Sequence, residues 1–176
     1  MKTARPTNRV FLRRLYQSDE AAIIALAKSS RAFHRNRVKP PDTPAGFAKY
    51  LKRGNDKSNA MFVVCLKSDK TVIGAINFSQ IFYGQFKSAY MGYWIGAAFA
   101  NQGYMSEAMQ LAVHIAFKKL KLHRIEANII PDNIPSIKLV KRLGFRKEGY
   151  SLKYLKIGGK WRDHIRFAMF AEEWNR

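Results

Sequence analysis

The chain has 176 residues, enough for one domain with a full core, and is 47% hydrophobic and 13% aromatic. That apolar content excludes a disordered tail or a histone-like arm, which could not offset the entropy of ordering. The formal net charge of +20 favours polyanionic partners and speeds encounter with them. The same excess also describes a well-solvated basic surface, because the cations alternate with apolar residues and do not form runs. They concentrate in residues 1–40, with ten Lys/Arg against two acids, and in 118–166, with fourteen against four.

A lone cysteine, Cys65, removes any internal disulfide framework and fits a cytoplasmic setting. It sits in the apolar run AMFVVCL and reads as a small buried hydrophobe. The opening MKTARPTNRVFLRR is basic but lacks the apolar centre of a signal peptide. No stretch reaches the roughly 20 apolar residues of a membrane span. The expectation is a soluble protein with no membrane partner.

Along the chain, VFLRRL (10–15) predicts a first strand. Ser18 followed by Asp19 and Glu20 predicts a capped helix to Lys28. Residues 29–46, with Pro40, Pro41 and Pro44, read as a loop, and Phe47, Tyr50 and Leu51 as a short helix ending near Gly54. Residues 60–66, 71–81 and 87–96 read as a three-strand meander, rich in β-branched and aromatic residues. Met105, Ala108, Met109, Ala112, Val113, Ala116 and Leu120 lie on one face of a helix over 104–120. A strand over 124–130 comes next, closed by Pro131. Asp132 or Asn133 caps the next helix, and Gly144 ends it. A hairpin joined at Gly158–Gly159 completes the order. This order marks one mixed α/β (α+β) domain over 1–176, neither a TIM barrel nor a bundle.

Two segments carry chemistry. In GYWIGAAFANQGYMSEA (92–108) a strand gives way to a glycine-containing loop and then a helix beginning near Gly103. Amides at such a helix start favour an anion such as a pyrophosphate, although Gly103 also suits plain turn chemistry. In PDNIPSIKLVKRLGF (131–145), Asn133 and Ser136 fall in the first helical turn. Capping and a first-turn hydroxyl bond explain each of them taken alone.

Taken together and in this order, the segments resemble the GNAT acyltransferase superfamily. The nearest likeness is to its RimJ/RimL branch of ribosomal-protein N-terminal acetyltransferases. VFLRRL…SD, GYWIG…GYMSEA, HRIEANIIPDNIPSIKLVKRLGFRKEGY and GGKWRDH carry it over about residues 9–170, and the string looks more like RimJ than RimL. The resemblance implies a mostly antiparallel sheet whose central strand pair splays apart, with flanking helices, and acetyl-CoA in the gap. It implies main-chain contacts to pantetheine near Tyr93 and Ile95, with an amide near Ile95 polarising the thioester. It implies a phosphate loop over Ala100, Asn101, Gln102, Gly103, Tyr104 and Met105, a cofactor contact from Asn133, and a proton from Ser136 to the leaving thiolate.

Two features depart from the pattern. The family loop reads Q/R-x-x-G-x-G/A, whereas here Ala100 leads, Asn101 stands at a usual glycine and Met105 closes. A weaker grip on phosphate is expected, with Gln102 or a nearby cation compensating. Leu155 occupies the place of the RimL-like glutamate, so no general base is assigned; Asp163 and His164 are titratable neighbours with ordinary structural uses.

The reading implied is transfer of acetyl from acetyl-CoA to a protein N-terminal amine, such as a ribosomal-protein alanine. A contact with ribosomal RNA through the basic surface goes with it. The alternatives are acetylation of a small-molecule amine, or a basic RNA-binding module on a degenerate scaffold. Like-charge repulsion counts against spermidine and aminoglycosides. No RNP-like, helix-turn-helix or zinc spacing supports the module. His34, His114, His123 and His164 are scattered, so no metal is expected.

Overall fold

The computed structural model describes residues 8–35 and 37–174. The basic leader 1–7 therefore lies outside the described residues. Seven strands form one sheet: β1 Val10–Arg14, β2 Ala60–Leu66, β3 Val72–Phe82, β4 Ser88–Ile95, β5 Arg124–Ile129, β6 Arg146–Ile157 and β7 Lys160–Phe170. Their order is β1-β2-β3-β4-β5-β7-β6, and every pairing is antiparallel except β4 with β5. The mixed, mostly antiparallel sheet expected from the sequence is the one observed.

Helices cover both faces. Helices α1 Glu20–Ser29 and α3 Pro44–Gly54 bury Ile23 and Phe47 against Val63, Cys65, Ala75 and Trp94 on one side. Helices α4 Tyr104–His114 and α5 Ile134–Arg142 bury Met105, Met109 and Val140 against Ile76, Phe78, Ile125 and Ala127 on the other. Alternation along each strand makes both cores possible, because successive side chains point to opposite faces.

Three local expectations are corrected and one choice is settled. Ser18 does not cap α1; it lies in a short 3-10 turn, Gln17–Asp19, before that helix. Asp19 organises the turn from inside: it is 3% exposed, holds the Arg13 guanidinium at 2.6 Å, and accepts from the Tyr16 N–H at 2.8 Å. The 29–46 segment is not all loop. It holds a one-turn helix, α2 Arg31–His34, and its end opens α3 at Pro44, capped by Thr43 Oγ1 accepting from the Gly46 N–H at 3.1 Å. Proline marks a helix start as readily as a loop, since its fixed φ suits the first helical position. The helix read as 104–120 is α-helical only to His114 and continues as a wider π turn over Ile115–Lys119. One turn of apolar spacing does not distinguish the two. Of the two residues offered as caps for α5, Asn133 is the cap, its Oδ1 accepting from the Ser136 N–H at 3.4 Å.

The β4–β5 pairing shapes the centre of the sheet. It runs only from Ser88–Arg124 to Tyr90–Glu126. Beyond that point β4 stays with β3 as far as Gly74–Ile95, and β5 stays with β7 as far as Ile129–Ile165. The two central strands part, as the resemblance implied. Gly74 contributes: a Cβ there would stand 2.4 Å from the Trp94 carbonyl, so only glycine lets β3 draw the end of β4 so close.

Candidate active site

The parted strands open a cavity of about 730 Å³. Met91–Ile95 and Ala127–Ile130 form its walls, α2 and the β6–β7 arm close one side, and the starts of α4 and α5 close the other. It thus reaches through the sheet from one face to the other.

Amide directions in the gap are set by one bond. The Gly96 N–H donates to the Ile73 carbonyl on the β3 side at 2.8 Å. By strand alternation Trp94 also faces β3, so the main-chain groups of Tyr93 and Ile95 face the gap. The Tyr93 side chain lines the cavity too. Burial pushes its phenol up to about 12, with the Ser136 side chain pulling slightly back, so it stays protonated. Its hydroxyl is buried beside Ser136 without meeting a hydrogen-bond partner among the described residues.

The loop before α4 is built by two left-handed residues, Asn101 (φ 60°) and Gly103 (φ 85°). Gly103 is the N-cap and offers no side chain. The first-turn amides of α4 therefore have no carbonyl ahead of them in the helix, and the dipole there attracts anions. Ala100, Asn101, Gly103 and Met105 line the cavity, as does Ser106, which sequence reading did not single out. Gln102 and Tyr104 are not among the lining residues. The Gln102 carboxamide donates back to the Ala98 carbonyl at 2.8 Å, so it is spent inside the loop and does not make up for the missing family side chain.

Arg9, also missed, braces this loop. It donates to Glu107 through Nε at 2.8 Å and Nη2 at 2.5 Å, and to the Gln102 carbonyl at 2.8 Å. Its guanidinium lies 4.4 Å above the Tyr104 ring. Arginine's planar fork permits these contacts at once. The sequence carried no local signal for it, because Arg9 and Glu107 lie 98 residues apart. Arg9→Ala is expected to weaken acetyl-CoA binding about tenfold, a loss of ~1.4 kcal/mol, read by calorimetric titration.

At α5, Asn133 and Ser136 both line the cavity. The Asn133 oxygen is committed to its cap, which leaves the amide nitrogen as the end suited to a ligand. Lys138 and Arg142 line the same side, Arg37 lines the other, and no Asp or Glu is found among the described lining residues. Leu155, at the place of the RimL-like glutamate, lines the wall.

Two buried histidines also line the cavity. His34 is 6% exposed and meets Trp94 edge-on at 5.9 Å. Burial lowers its pKa, and the Ile95 carbonyl partly offsets this. His164 is 2% exposed and likewise lowered by burial, with its bond to the Arg162 carbonyl pulling the other way. A histidine depressed in the fold binds fewer protons folded than unfolded. Its contribution to stability is therefore complete above the unfolded value of about 6.5 and is lost as pH falls through the folded value. Melting temperature is expected to drop from pH 7.5 to 5.5, and His34→Gln should flatten that drop.

Comparison with known proteins fits this geometry. The profile of the Acetyltransferase (GNAT) domain matches residues 9–146. The chain is 39% identical over 116 residues to the probable N-acetyltransferase YjcK of Bacillus subtilis (strain 168), covering 66% of this chain and 64% of that one. It is 42% identical over 106 residues to the [ribosomal protein uS5]-alanine N-acetyltransferase of Escherichia coli (strain K12), covering 60% and 55%. The matches thus span between about half and two thirds of these relatives' lengths. Mycobacterium smegmatis RimJ, solved in complex with CoA-disulfide, superposes with a TM-score of 0.87 at 26% identity, over 95% of this chain and 84% of that one.

Proposed function

The chain belongs to the GNAT acetyltransferase family, and on that premise we propose that it moves acetyl from acetyl-CoA to the α-amine of a protein N-terminus, a ribosomal-protein alanine being the acceptor. The observation that carries this is the gap beyond Tyr90 and Glu126, with the Tyr93 and Ile95 amides turned into it and the start of α4 at its mouth. The buried, unpartnered hydroxyl of Tyr93 supports a polar occupant, since buried polar groups without partners are rare unless a ligand satisfies them.

Acetyl-CoA supplies the activated acetyl thioester, and the chain supplies position and polarity. The α4 amides together with Lys138 and Arg142 suit its phosphates, and the Asn133 amide suits its pantetheine arm. The Ile95 N–H takes charge developing on the thioester oxygen, where one such donor contributes about 2.7–4 kcal/mol. Ser136 donates a proton to the departing sulfur.

An α-amine titrates near 7.7–8.0, so a useful fraction is already neutral at pH 7, unlike a lysine amine near 10.4. The absence of carboxylates among the described lining residues supports a singly charged or neutral acceptor over a polyamine, which needs acids to hold it. The name of the Escherichia coli relative supports the acceptor class. The net charge of +20 suits work beside ribosomal RNA in the cytoplasm. The test is thiol release from acetyl-CoA with a panel of peptides bearing ribosomal-protein N-termini, spermidine and a lysine side-chain amine. Alanine-initiated peptides are expected to give the highest kcat/KM. A preference for spermidine would overturn the acceptor assignment.

A further inference from the structure

The proposed chemistry leaves the proton of the attacking amine without a receiver, and Leu155 cannot take it. His164 is placed to do so. Its Nδ1 stands 3.0 Å from the Arg162 carbonyl oxygen. A carbonyl only accepts, so in the neutral ring Nδ1 carries the hydrogen and Nε2 keeps the lone pair. The ring is held against Tyr154 at 5.7 Å, and the Tyr154 hydroxyl reaches that of Tyr90 at 3.5 Å.

Position within the sheet supports the assignment. His164 stands directly beyond the last β5–β7 pair, Ile129–Ile165, at the mouth of the gap. Ile165, Phe167 and Met169 pack towards α4 and α5, so His164 faces the opposite side, that of α2 and Trp94. Ser136 and the start of α4 lie on the α4–α5 side. Proton acceptor and proton donor therefore approach the gap from opposite faces, as direct transfer between an entering amine and a leaving sulfur requires. Asn128, paired with Arg166, shares the His164 face, and its Oδ1 is buried with no partner among the described residues.

We propose that His164 Nε2 accepts the proton of the acceptor amine while Asn128 Oδ1 orients that amine, a role that rests on the acetyl-transfer reading above. A neutral amine donates one hydrogen to Nε2 and the other to Oδ1, which aims its lone pair at the acetyl carbon. The lone pair forms the C–N bond, and Nε2 takes one N–H proton to become imidazolium. As the C–S bond breaks, its electron pair stays on sulfur and Ser136 Oγ gives that sulfur a proton. Nε2 then returns its proton to solvent and Ser136 regains one, so amine and thioester become amide and thiol.

Burial keeps the ring neutral near pH 7, with the Arg162 carbonyl opposing it and the Arg162 and Asp163 charges acting in opposite directions. On its own strand, Arg162 is paired with Asp132 at 3.1 Å, and Asp163 is held by the Tyr150 hydroxyl and the Lys153 N–H; Arg166 lies two residues on. From the other elements, Tyr154 (β6) meets the ring, with Tyr90 (β4) and Glu126 (β5) around its hydroxyl and Lys153 (β6) beside Asp163, while His34 and Arg37 (α2 and the turn after it) line the cavity.

The test uses the full chain with an alanine-initiated peptide and His164→Asn, which keeps a donor for the Arg162 carbonyl and removes Nε2. In the wild type, log(kcat/KM) should rise with a slope of about two in acid, where histidine and amine both titrate, then about one up to the amine value. In H164N the slope should be about one throughout, with kcat lower by about 100-fold and acetyl-CoA affinity within twofold. Nitrogen-15 spectra of the histidine-labelled wild type, with no acetyl-CoA added, should show the Nδ1–H tautomer for His164 and titration below about 6.5. An Nε2–H tautomer, or equal slopes in both proteins, would overturn the assignment while leaving acetyl transfer standing. A wild type that binds acetyl-CoA but acetylates no amine in the panel would overturn the reading on which the assignment rests.

Discussion

Ser136→Ala is expected to lower kcat by about 100-fold, within the range that loss of one positioned proton donor produces, while acetyl-CoA affinity stays within threefold. The hydroxyl lies in the first turn of α5, where alanine is a good helix former, so the backbone should hold. The Asn133 cap survives, because it uses the Ser136 N–H and not its side chain. The neighbouring Tyr93 hydroxyl, kept protonated by burial, leaves the variant some residual proton supply. Single-turnover kinetics beside calorimetric titration separates the two effects. An unchanged kcat would remove Ser136 from proton transfer, and a large loss of affinity would make it a binding residue.

Gly74→Val is expected to be the most damaging change away from the reacting groups. A Cβ at this position would lie 2.4 Å from the Trp94 carbonyl oxygen and 3.0 Å from Ile95 Cα, both backbone atoms that no rotamer can avoid. The end of β4 must lift from β3, in the direction of the gap. Overpacking of this kind costs about 3 kcal/mol, which in a chain of this size lowers Tm by roughly 6–12 °C. The Tyr93 and Ile95 amides move with the strand, so activity should fall in the fraction that remains folded. Thermal melts and kcat measured well below Tm check both parts. Retention of wild-type Tm would show that β3 and β4 are not so closely apposed.

Much of this architecture is legible in the sequence because its signals are local. The strands alternate or run apolar, the apolar face of α4 repeats every 3.6 residues, and Gly144 (φ 96°) and Gly158–Gly159 (φ 58° and 81°) stand where left-handed backbone is needed. The parting of β4 from β5 is not readable from either strand alone. It depends on Gly74, in a third strand, and only family resemblance anticipates it. Errors arise where one residue type serves two structures: Pro44 opens a helix inside an apparent loop, and Asp19 anchors Arg13 where Ser18 is expected to cap. At the site, Ser136, Asn133 and Gly103 announce themselves by sitting at helix starts. Arg9 does not, because only folding brings it against Glu107 and Gln102. His164 can be named as titratable, but its tautomer is set by a carbonyl two residues away whose direction no sequence pattern reveals.

The central claim is that a thioester nucleotide lies in the gap, gripped by the amides of Tyr93, Ile95 and the first turn of α4. Residue-resolved amide hydrogen exchange with and without saturating acetyl-CoA tests it most directly. Exchange should slow at Tyr93, Ile95 and residues 104–106 when acetyl-CoA is present, with Trp94, already turned to β3, unchanged. Protection confined to other surfaces, or no change at any of these amides at concentrations that saturate binding, would contradict the account.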